Sequence, residues 1–339
     1  MNLLHIILTK EFAGSERYAC QLASMQAKAG HAVSVLVKDG SLAYVHRMVQ
    51  EAAPARVVTI PRWWPSFLDF WAIRYMVMRV RPTVVHTHLG RAAKRTSKAL
   101  AWLKPALRPK HVSTLHLEYR EDYADTDGLI CIAEWQLAGI PASYKGKVAT
   151  VWNWAMPRGK DAPEVRTGFT FLSVGRLVGQ KGMDVLIRAF RKAFAAGDEV
   201  SLVIAGDGPE RAALETLAEG DPRITLLGYV ADVGALYPAA KVYVSAARYE
   251  PFGLTILEAM VAGCRLVCTQ TQGPREFLKD YKVEWAKVDD VASLAKALKA
   301  AAKTVAKTKT RVPWDMAPFE PKKAIRTIEN FYKSVIQAV

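Results

Sequence analysis

Residues 250–258 read Glu250-Pro-Phe-Gly-Leu-Thr-Ile-Leu-Glu258, and this segment decides the fold. An apolar, strand-like run ends just before it, and a helix is predicted from Thr255 to Ala262. One carboxylate therefore lies in a loop after a strand, and the other lies one turn into the next helix. Backbone N–H groups at a helix N-terminus attract anions, and here they belong to Phe252, Gly253 and Leu254. Since carboxylates accept hydrogen bonds from hydroxyls, the two glutamates suit a ribose or a hexose. A solvated loop with a helix-start carboxylate is the alternative.

Strand–loop–helix units of this kind recur along the whole chain. The predicted helices include Ser15–Ala29, Met183–Ala195 and Pro209–Ala218. The predicted strands are Leu3–Leu8, Ala32–Val37, Val84–His88, Val112–His116, Gly128–Ile132, Ala149–Trp152, Thr170–Val174, Val200–Ala205, Ile224–Leu227, Val242–Ser245 and Arg265–Thr269. Alternation of strands and helices implies parallel sheets with crossover helices, so the predicted fold class is α/β.

The number of strands and the length of 339 residues both indicate two domains. Met156–Gly168 is rich in proline, glycine and charge and lacks periodicity, so we expect the linker there. We predict an N-terminal domain over residues 1–156 and a C-terminal domain over residues 168–318. Pro321–Val339 carries apolar residues at helical spacing, which predicts a final helix within residues 319–339.

Composition and charge narrow the class of protein. Hydrophobic residues make up 51% of the chain, which indicates a globular protein, and the net charge of +15 favours anionic partners. The four scattered cysteines, Cys20, Cys131, Cys264 and Cys268, suggest reduced core residues of a cytosolic protein. The apolar start is too short for a signal peptide, and no window of 18 residues is apolar and free of charge. We therefore expect a cytoplasmic protein that does not span a membrane.

Two further loops carry residues suited to phosphate. In Ser173-Val-Gly-Arg-Leu-Val-Gly-Gln-Lys-Gly182, Arg176 and Lys181 follow a predicted strand at its carboxyl end, where open α/β sheets bind ligands. Two fixed cations there suit a diphosphate, and two solvated loop charges are the alternative. The turn Ala13-Gly14-Ser15-Glu16 would let helix N–H groups approach a phosphate, and an ordinary strand-to-helix turn is the alternative.

Taken together, these motifs resemble glycosyltransferase family 4. The set consists of Gly-Arg-Leu…Lys-Gly, Gly206-Asp-Gly-Pro209, Gly228-Tyr-Val and Glu-x7-Glu, and the resemblance is strongest from 171 to 276. The turn at 13–16 resembles the family's Gly-Gly-Ala-Glu, and the strands ending at His88 and His116 resemble two strand ends near the donor sugar. The chain departs from the family at Asn153-Trp154, where Asn-Gly is usual, and at Arg265, where proline is usual.

The resemblance implies a GT-B fold, with two Rossmann-like domains and a deep cleft between them. It also implies retaining transfer from a nucleotide-diphosphate sugar without a metal or other cofactor, and a C-terminal helix that packs back on the first domain. By motif, Arg176 and Lys181 match the diphosphate-binding pair, Glu258 matches the ribose ligand and Glu250 matches the carboxylate facing the hexose. Gly14 would approach the donor from the other domain.

The histidines and one acidic triplet bear on catalysis and metal binding. His86 and His88 share a strand face, but no third metal ligand lies nearby in sequence, so we predict no metal site. We expect His88 to join Glu250, Arg176 and Lys181 as a catalytic residue. His116 is the other candidate, and a core histidine is the structural alternative for both. Asp125-Thr-Asp127 precedes a strand at its amino end, which is the wrong end for a ligand.

Residues 62–110 combine aromatic and basic side chains. Arg62-Trp-Trp-Pro-Ser-Phe-Leu-Asp-Phe-Trp71 is followed by Arg91–Lys110, which holds seven basic residues and no acidic one. As a helix from 91 to about 104, the second stretch places Arg91, Lys94, Arg95 and Lys98 opposite its apolar face. This pattern favours an anionic membrane surface. An ordinary Rossmann helix with a solvated face is the alternative, and no nucleic-acid motif is present.

The leading hypothesis is a peripheral enzyme at the inner membrane face that extends a lipid-linked glycan, with lipopolysaccharide core as the acceptor. A transferase with a soluble acceptor and a GT-B nucleotide-sugar epimerase are the alternatives within enzymes. A catalytically silent binding module is the third reading, and the intact set of Arg176, Lys181, Glu250 and Glu258 argues against it. The base, the sugar and the linkage stay open.

Overall fold

The computed structural model describes residues 1–9, 11–38, 40–61, 63–156, 169–308 and 310–337. The chain forms two compact units, the first made of Met1–Asn153 with Pro321–Val339 and the second of Trp154–Glu320. The first unit ends at the Asn153-Trp154 pair, which stands where the family that the sequence resembles usually has Asn-Gly. The predicted linker, apart from Met156, lies outside the described residues.

The first unit is built on seven parallel strands in the order β3-β2-β1-β4-β5-β6-β7. Its elements in chain order are β1 Asn2–Ile7, α1 Gly14–Lys28, β2 Ala32–Lys38, α2 Leu42–Ala52, β3 Arg56–Ile60, α3 Asp69–Val80, β4 Val84–His88, α4 Gly90–Ala101, β5 Lys110–Leu115, β6 Gly128–Cys131 and β7 Lys147–Thr150. Its central strands are buried over almost their whole length because helices cover both faces of the sheet.

The second unit repeats the plan with six parallel strands in the order β10-β9-β8-β11-β12-β13. Its elements are β8 Phe169–Val174, α5 Met183–Ala193, β9 Leu202–Ala205, α6 Arg211–Ala218, β10 Ile224–Gly228, α7 Leu236–Ala239, β11 Ala240–Ser245, α8 Leu254–Val261, β12 Arg265–Thr269, α9 Gln272–Phe277, β13 Glu284–Ala286 and α10 Val291–Lys307. The two sheets confirm the prediction of an α/β protein with two Rossmann-like halves.

The final helix, α11, spans Pro321–Gln337 and belongs to the first unit. Its residues Ile328 and Tyr332 are fully buried, and the Tyr332 hydroxyl lies 2.5 Å from Nδ1 of His86 on β4. Glu329 contacts His31 Nε2 at 2.9 Å at the end of α1. The helix therefore completes the core of a unit whose other elements lie more than 160 residues earlier.

The positions of the cysteines agree with the sequence, whereas two strands of the sheets were not expected. All four cysteines are buried and free, as predicted. Within the described residues, no helix is both long and apolar enough to cross a bilayer. Two strands were not predicted: β3, a half-exposed edge strand, and β13, which has three residues and is too short to show a period.

Candidate active site

In each sheet the strand order reverses at one point, and such switch points are where open α/β sheets bind ligands. In the second unit the switch lies between β8 and β11, which pair directly. The loops that follow these two strands meet: Lys181 Nζ donates to Glu250 Oε2 at 2.6 Å. Glu250 is 8% exposed, whereas the Lys181 side chain is about a third exposed. The structure therefore pairs Lys181, which was predicted to bind phosphate, with Glu250, which was predicted to bind the sugar.

Arg248 holds the two loops in this arrangement. Its guanidinium binds both oxygens of Asp184, with Nη1–Oδ1 and Nη2–Oδ2 distances of 2.8 and 2.9 Å, and it also donates to the Gly179 carbonyl at 2.7 Å. The Arg248 amide donates to the Gln180 carbonyl at 2.8 Å. Hydrogen bonding from Arg248 lowers the pKa of Asp184 below its usual range. Sequence reasoning missed this residue, because its partner lies 64 positions away.

Gly182 is required where the first loop enters α5. Its φ is +63°, in the left-handed region, and a Cβ there would collide with the Ala246 carbonyl oxygen. A second close approach places Gly206 and Gly208, of the Gly-Asp-Gly-Pro motif, against the carbonyls of Gly175 and Leu177. Leu177 is fully buried. The glycines therefore let three loops pack together beneath Lys181.

Arg176 lies in the same loop, between Gly175 and the buried Leu177. The Leu177 amide donates to the Asp207 carbonyl at 2.9 Å, which anchors the backbone beside it. The Arg176 side chain itself is exposed. It therefore emerges at the carboxyl end of β8, as the sequence predicted.

The start of α8 has the predicted form. Gly253, with φ of +113°, precedes the first helical residue, Leu254. Phe252 is buried and stacks on Phe277, with ring centroids 4.8 Å apart and an interplanar angle of 17°. Among the described residues, the amide N–H groups of Phe252, Gly253 and Leu254 donate to no backbone carbonyl. A helix start of this kind is suited to receive an anion.

Glu258 lies one turn into α8 and is half-buried. Its Oε2 accepts a hydrogen bond of 2.6 Å from the hydroxyl of Tyr237, a buried residue of α7. Tyr237 therefore orients the carboxylate. No sequence motif marked this tyrosine, which lies 21 residues before its partner.

In the first unit, Gly14 is the first residue of α1, which follows the switch-point strand β1. The side chain of Glu16 folds back, and its Oε2 accepts from the Ala13 amide at 2.9 Å. Glu16 is buried and closes the start of the helix. Glu16 thus has a structural role at the start of α1, and Gly14, the first residue of the helix, is exposed.

His88 ends β4 beside the same switch point, and it is part of a chain of histidines. Its Nε2 lies 3.1 Å from Nδ1 of His5, and its Nδ1 lies 3.2 Å from Nε2 of His116. His5 Nε2 lies 2.7 Å from Oε1 of Gln26. His88 is fully buried, whereas His116, just after β5, is 9% exposed. Burial lowers the pKa of His5 to about 4 and that of His116 to about 3, so the chain is uncharged at neutral pH.

Two histidines of this chain, together with His86 of β4, approach one another closely enough to hold a metal ion. His5, His86 and His88 place one ring nitrogen each within 4.8 Å of the others. The third member, His5, comes from β1, which is why sequence spacing did not reveal it. The nitrogens of His86 lie 2.5 Å from the Tyr332 hydroxyl and 2.7 Å from Thr114 Oγ1. Since both nitrogens of His86 and both of His88 contact protein groups, the cluster fits a hydrogen-bond network better than a metal site.

In the Asp125–Asp127 triplet, the Asp127 carboxylate contacts the neighbouring strand β5. Asp127 Oδ2 accepts from the His111 amide at 2.7 Å, and Lys110 Nζ lies 3.7 Å from Oδ1. The triplet precedes β6 at its amino end, as predicted. Asp127 therefore caps the β5 backbone.

Two family models match the chain. Residues 12–158 match the model described as Glycosyltransferase Family 4, and residues 160–311 match the model described as Glycosyl transferases group 1. An uncharacterised glycosyltransferase of Methanocaldococcus jannaschii is 41% identical over 113 residues, which are 32% of this chain and 29% of that protein. That match therefore spans less than a third of the relative's length.

Longer matches come from a second relative and from a solved structure. The lipopolysaccharide core biosynthesis glycosyltransferase LpsE of Rhizobium meliloti is 25% identical over 311 residues, covering 83% of this chain and 82% of that protein. The crystal structure of Anabaena HepE in complex with UDP and glucose has a TM-score of 0.79, with 16% identity over 98% of this chain and 99% of that chain. At this identity the likeness shows the fold alone.

Proposed function

Because this chain belongs to glycosyltransferase family 4 and has the GT-B fold, we propose that it moves a hexose or related sugar from a nucleotide-diphosphate sugar to a lipid-linked glycan. We further propose that this acceptor is a lipopolysaccharide core and that transfer occurs at the inner membrane face with retention of configuration. The likeness to LpsE along most of both chains supports this acceptor. The two family models support a transferase that uses nucleotide sugars.

The Lys181–Glu250 pair at the switch point of the second unit is the observation that carries the proposal. A nucleotide-sugar donor presents a diphosphate next to a hexose, so its site needs a cation next to a hydroxyl acceptor. Lys181 and Arg176 would bind the diphosphate, together with the N–H groups at the start of α8. Glu250 would accept a hydrogen bond from a hexose hydroxyl.

Glu258 would bind the ribose, because Tyr237 holds one carboxylate oxygen and orients the group at the helix start. On the first unit, His116 and the Gly14 turn are proposed to face the donor sugar. His88, the histidine expected to be catalytic, is fully buried and both of its ring nitrogens contact other histidines, so it would act only through His116. The cations and the helix N-terminus supply positive charge for the leaving diphosphate, so the proposed mechanism needs no metal ion.

The first test is a thermal-shift screen of nucleoside diphosphates. We expect one base to raise the melting temperature clearly, because a ligand at 100 times its Kd stabilises the folded state by about 2.7 kcal/mol. Nucleoside monophosphates at equal concentration are the control, since they lack the second phosphate that Lys181 and Arg176 would bind. If no diphosphate shifts the melting temperature, the donor site is wrongly placed.

The membrane part of the proposal rests on an exposed aromatic and basic surface of the first unit. Trp63 and Trp102 are 77% and 65% exposed, and Phe67 and Trp71 are exposed as well. The rings of Trp71 and Trp102 lie 6.2 Å apart. Arg62, the first residue of the predicted segment, lies outside the described residues. Amphipathic aromatic rings are typical of membrane–water interfaces.

The basic residues of α4 divide into two groups. Lys94 pairs with Asp122 at 3.3 Å, and Arg95 lies 3.8 Å from the buried Asp69. Arg91 and Lys98 are exposed, and within the described residues they form no ion pair. Lys98 and Trp102 are four positions apart and lie on one face. These last residues are therefore the ones to test for membrane attachment.

We expect the Arg91→Ser and Lys98→Ser double variant to bind anionic vesicles roughly 30-fold more weakly, since each basic residue near such a surface contributes about 1 kcal/mol. Binding of the parent chain should fall as salt rises, because the attraction fades within a Debye length of about 8 Å. Vesicle flotation measures both effects. The control carries Lys296→Ser and Lys299→Ser, the same loss of charge on exposed positions of α10. Equal binding by the two double variants, or by neutral and anionic vesicles, would favour a soluble acceptor.

A further inference from the structure

The histidine chain of the first unit begins at a side chain that cannot change its own hydrogen-bonding roles. In the Gln26 amide, the oxygen only accepts and the nitrogen only donates. Gln26 is fully buried, its Oε1 lies 2.7 Å from His5 Nε2, and its Nε2 donates to the Tyr332 hydroxyl at 3.3 Å. The Tyr332 hydroxyl also contacts His86 Nδ1 at 2.5 Å, so the amide lies between two groups of the buried core.

Each following contact is determined by the one before it. Because Gln26 Oε1 accepts, His5 must carry its proton on Nε2, and its Nδ1 then has a lone pair. His88 Nε2, 3.1 Å away, must therefore donate to it, which leaves a lone pair on His88 Nδ1. His116 Nε2, 3.2 Å further on, must then donate as well. A neutral imidazole has one donor and one acceptor, so the lone pair of His116 lies on Nδ1.

We propose that Gln26 is a positioning residue that sets the Nε2–H tautomer of His5, His88 and His116 in turn, and so presents His116 Nδ1 as an uncharged hydrogen-bond acceptor after β5. This inference rests on the proposed function in one respect: the group that this nitrogen would accept from is a sugar hydroxyl. The tautomers themselves follow from the contacts of the first unit alone.

Exchange of donors and acceptors along the histidine chain is disfavoured at the His5 end, which is buried. If His88 donated through Nδ1, its Nε2 lone pair would face the Nδ1 lone pair of His5, and both residues are fully buried. Protonation of a histidine would relieve that clash, but burial lowers the pKa of His88 and His5. With the Gln26 oxygen facing His5, as the structure places it, the chain therefore has one uncharged arrangement with every contact made.

The test is long-range proton–nitrogen correlation NMR of the full chain labelled with 15N-histidine. Correlations from the ring carbon protons distinguish Nε2–H from Nδ1–H for each of the seven histidines, and single substitutions assign the signals. At pH 7.5 we expect His5, His88 and His116 to be neutral Nε2–H tautomers. Any of the three found as Nδ1–H, or protonated, would overturn the proposal.

The variant Gln26→Met removes the acceptor with little change in length. We expect the uniform Nε2–H pattern to be lost in it and kcat/KM to fall roughly tenfold, the effect of one uncharged hydrogen bond. The control is Ser24→Ala, another buried polar residue of α1, whose hydroxyl donates to the Ala53 carbonyl outside the chain of histidines. An unchanged pattern in Gln26→Met would contradict the assignment.

Two further outcomes distinguish this inference from a metal site and from the proposed function. One equivalent of Zn²⁺ that shifts the signals of His5, His86 and His88 together would identify a metal site and overturn the tautomer assignment. A correct tautomer pattern in a protein that no nucleoside diphosphate stabilises would leave the inference standing and refute the proposed function. If Gln26→Met does not fold, the spectrum of the unaltered chain decides alone.

Discussion

Replacement of Lys181 by alanine is expected to lower kcat roughly 100-fold, the effect of removing one preorganised electrostatic group from an active site. The reason is that negative charge grows on the departing diphosphate, so the ammonium group acts more strongly in the transition state than in the ground state. The donor already carries charge, so KM should rise as well, but by less. Steady-state kinetics with the sugar donor that the nucleotide screen identifies would measure both changes.

Lys181 also neutralises the buried Glu250, and a double variant separates the two roles. If the lysine only neutralised Glu250, Lys181→Ala combined with Glu250→Gln would recover affinity for the free nucleoside diphosphate, which has no hexose for residue 250 to bind. We expect no recovery, because the lysine binds the phosphates directly. Arg188→Ala is the matched control, since Arg188 is an exposed cation of α5 that pairs with Asp184 at 3.0 Å. A 100-fold loss in that control would point to loop damage.

The same assay tests the proposal that no metal ion takes part. Activity should survive EDTA, because Lys181, Arg176 and the start of α8 supply the positive charge. Loss of activity in EDTA with recovery on addition of Mg²⁺ would mean that a metal ion holds the diphosphate.

Glu258→Ala is expected to weaken nucleoside diphosphate binding roughly 10- to 100-fold, because a hydrogen bond to a charged group is worth about 1.5–3 kcal/mol. The variant also leaves the buried Tyr237 hydroxyl without its 2.6 Å partner, so some loss of stability should accompany it. Glu258→Gln should show a smaller effect, since its amide oxygen still accepts. Isothermal titration gives the affinities, and thermal melts report the stability.

A deoxyribose ligand makes this test specific to the ribose. The parent chain should bind the deoxyribose form of its nucleoside diphosphate more weakly than the ribose form, and Glu258→Ala should bind both alike. Glu215→Ala, an exposed carboxylate of α6 paired with Arg211, serves as the control and should discriminate as the parent does. Continued discrimination by Glu258→Ala would assign the ribose to another residue.

Local patterns predicted much of the fold. Runs such as Val84–His88 and Arg265–Thr269 matched their strands at both ends, because alternation with helical segments marks each strand as a short separate run. The Glu-x7-Glu segment placed its loop and its helix start correctly, since glycine at 253 is what the left-handed backbone there requires. The edge strand β3 and the three-residue β13 were missed, because neither has a buried run of useful length.

The sequence by itself determined which residue types stand at the carboxyl ends of the strands: the cations at 176 and 181, the carboxylates at 250 and 258, and the histidines at 88 and 116. Only the tertiary structure decided their partners. The contacts of Lys181 with Glu250, of Arg248 with Asp184 and of Tyr237 with Glu258 span between 21 and 69 positions, and the histidine chain adds His5 and Gln26 from a strand and a helix far from His88. The physical reason is that strand order in a parallel sheet differs from chain order. Helical and strand periods act over a few residues, whereas sheet pairing brings together loops that no local pattern connects.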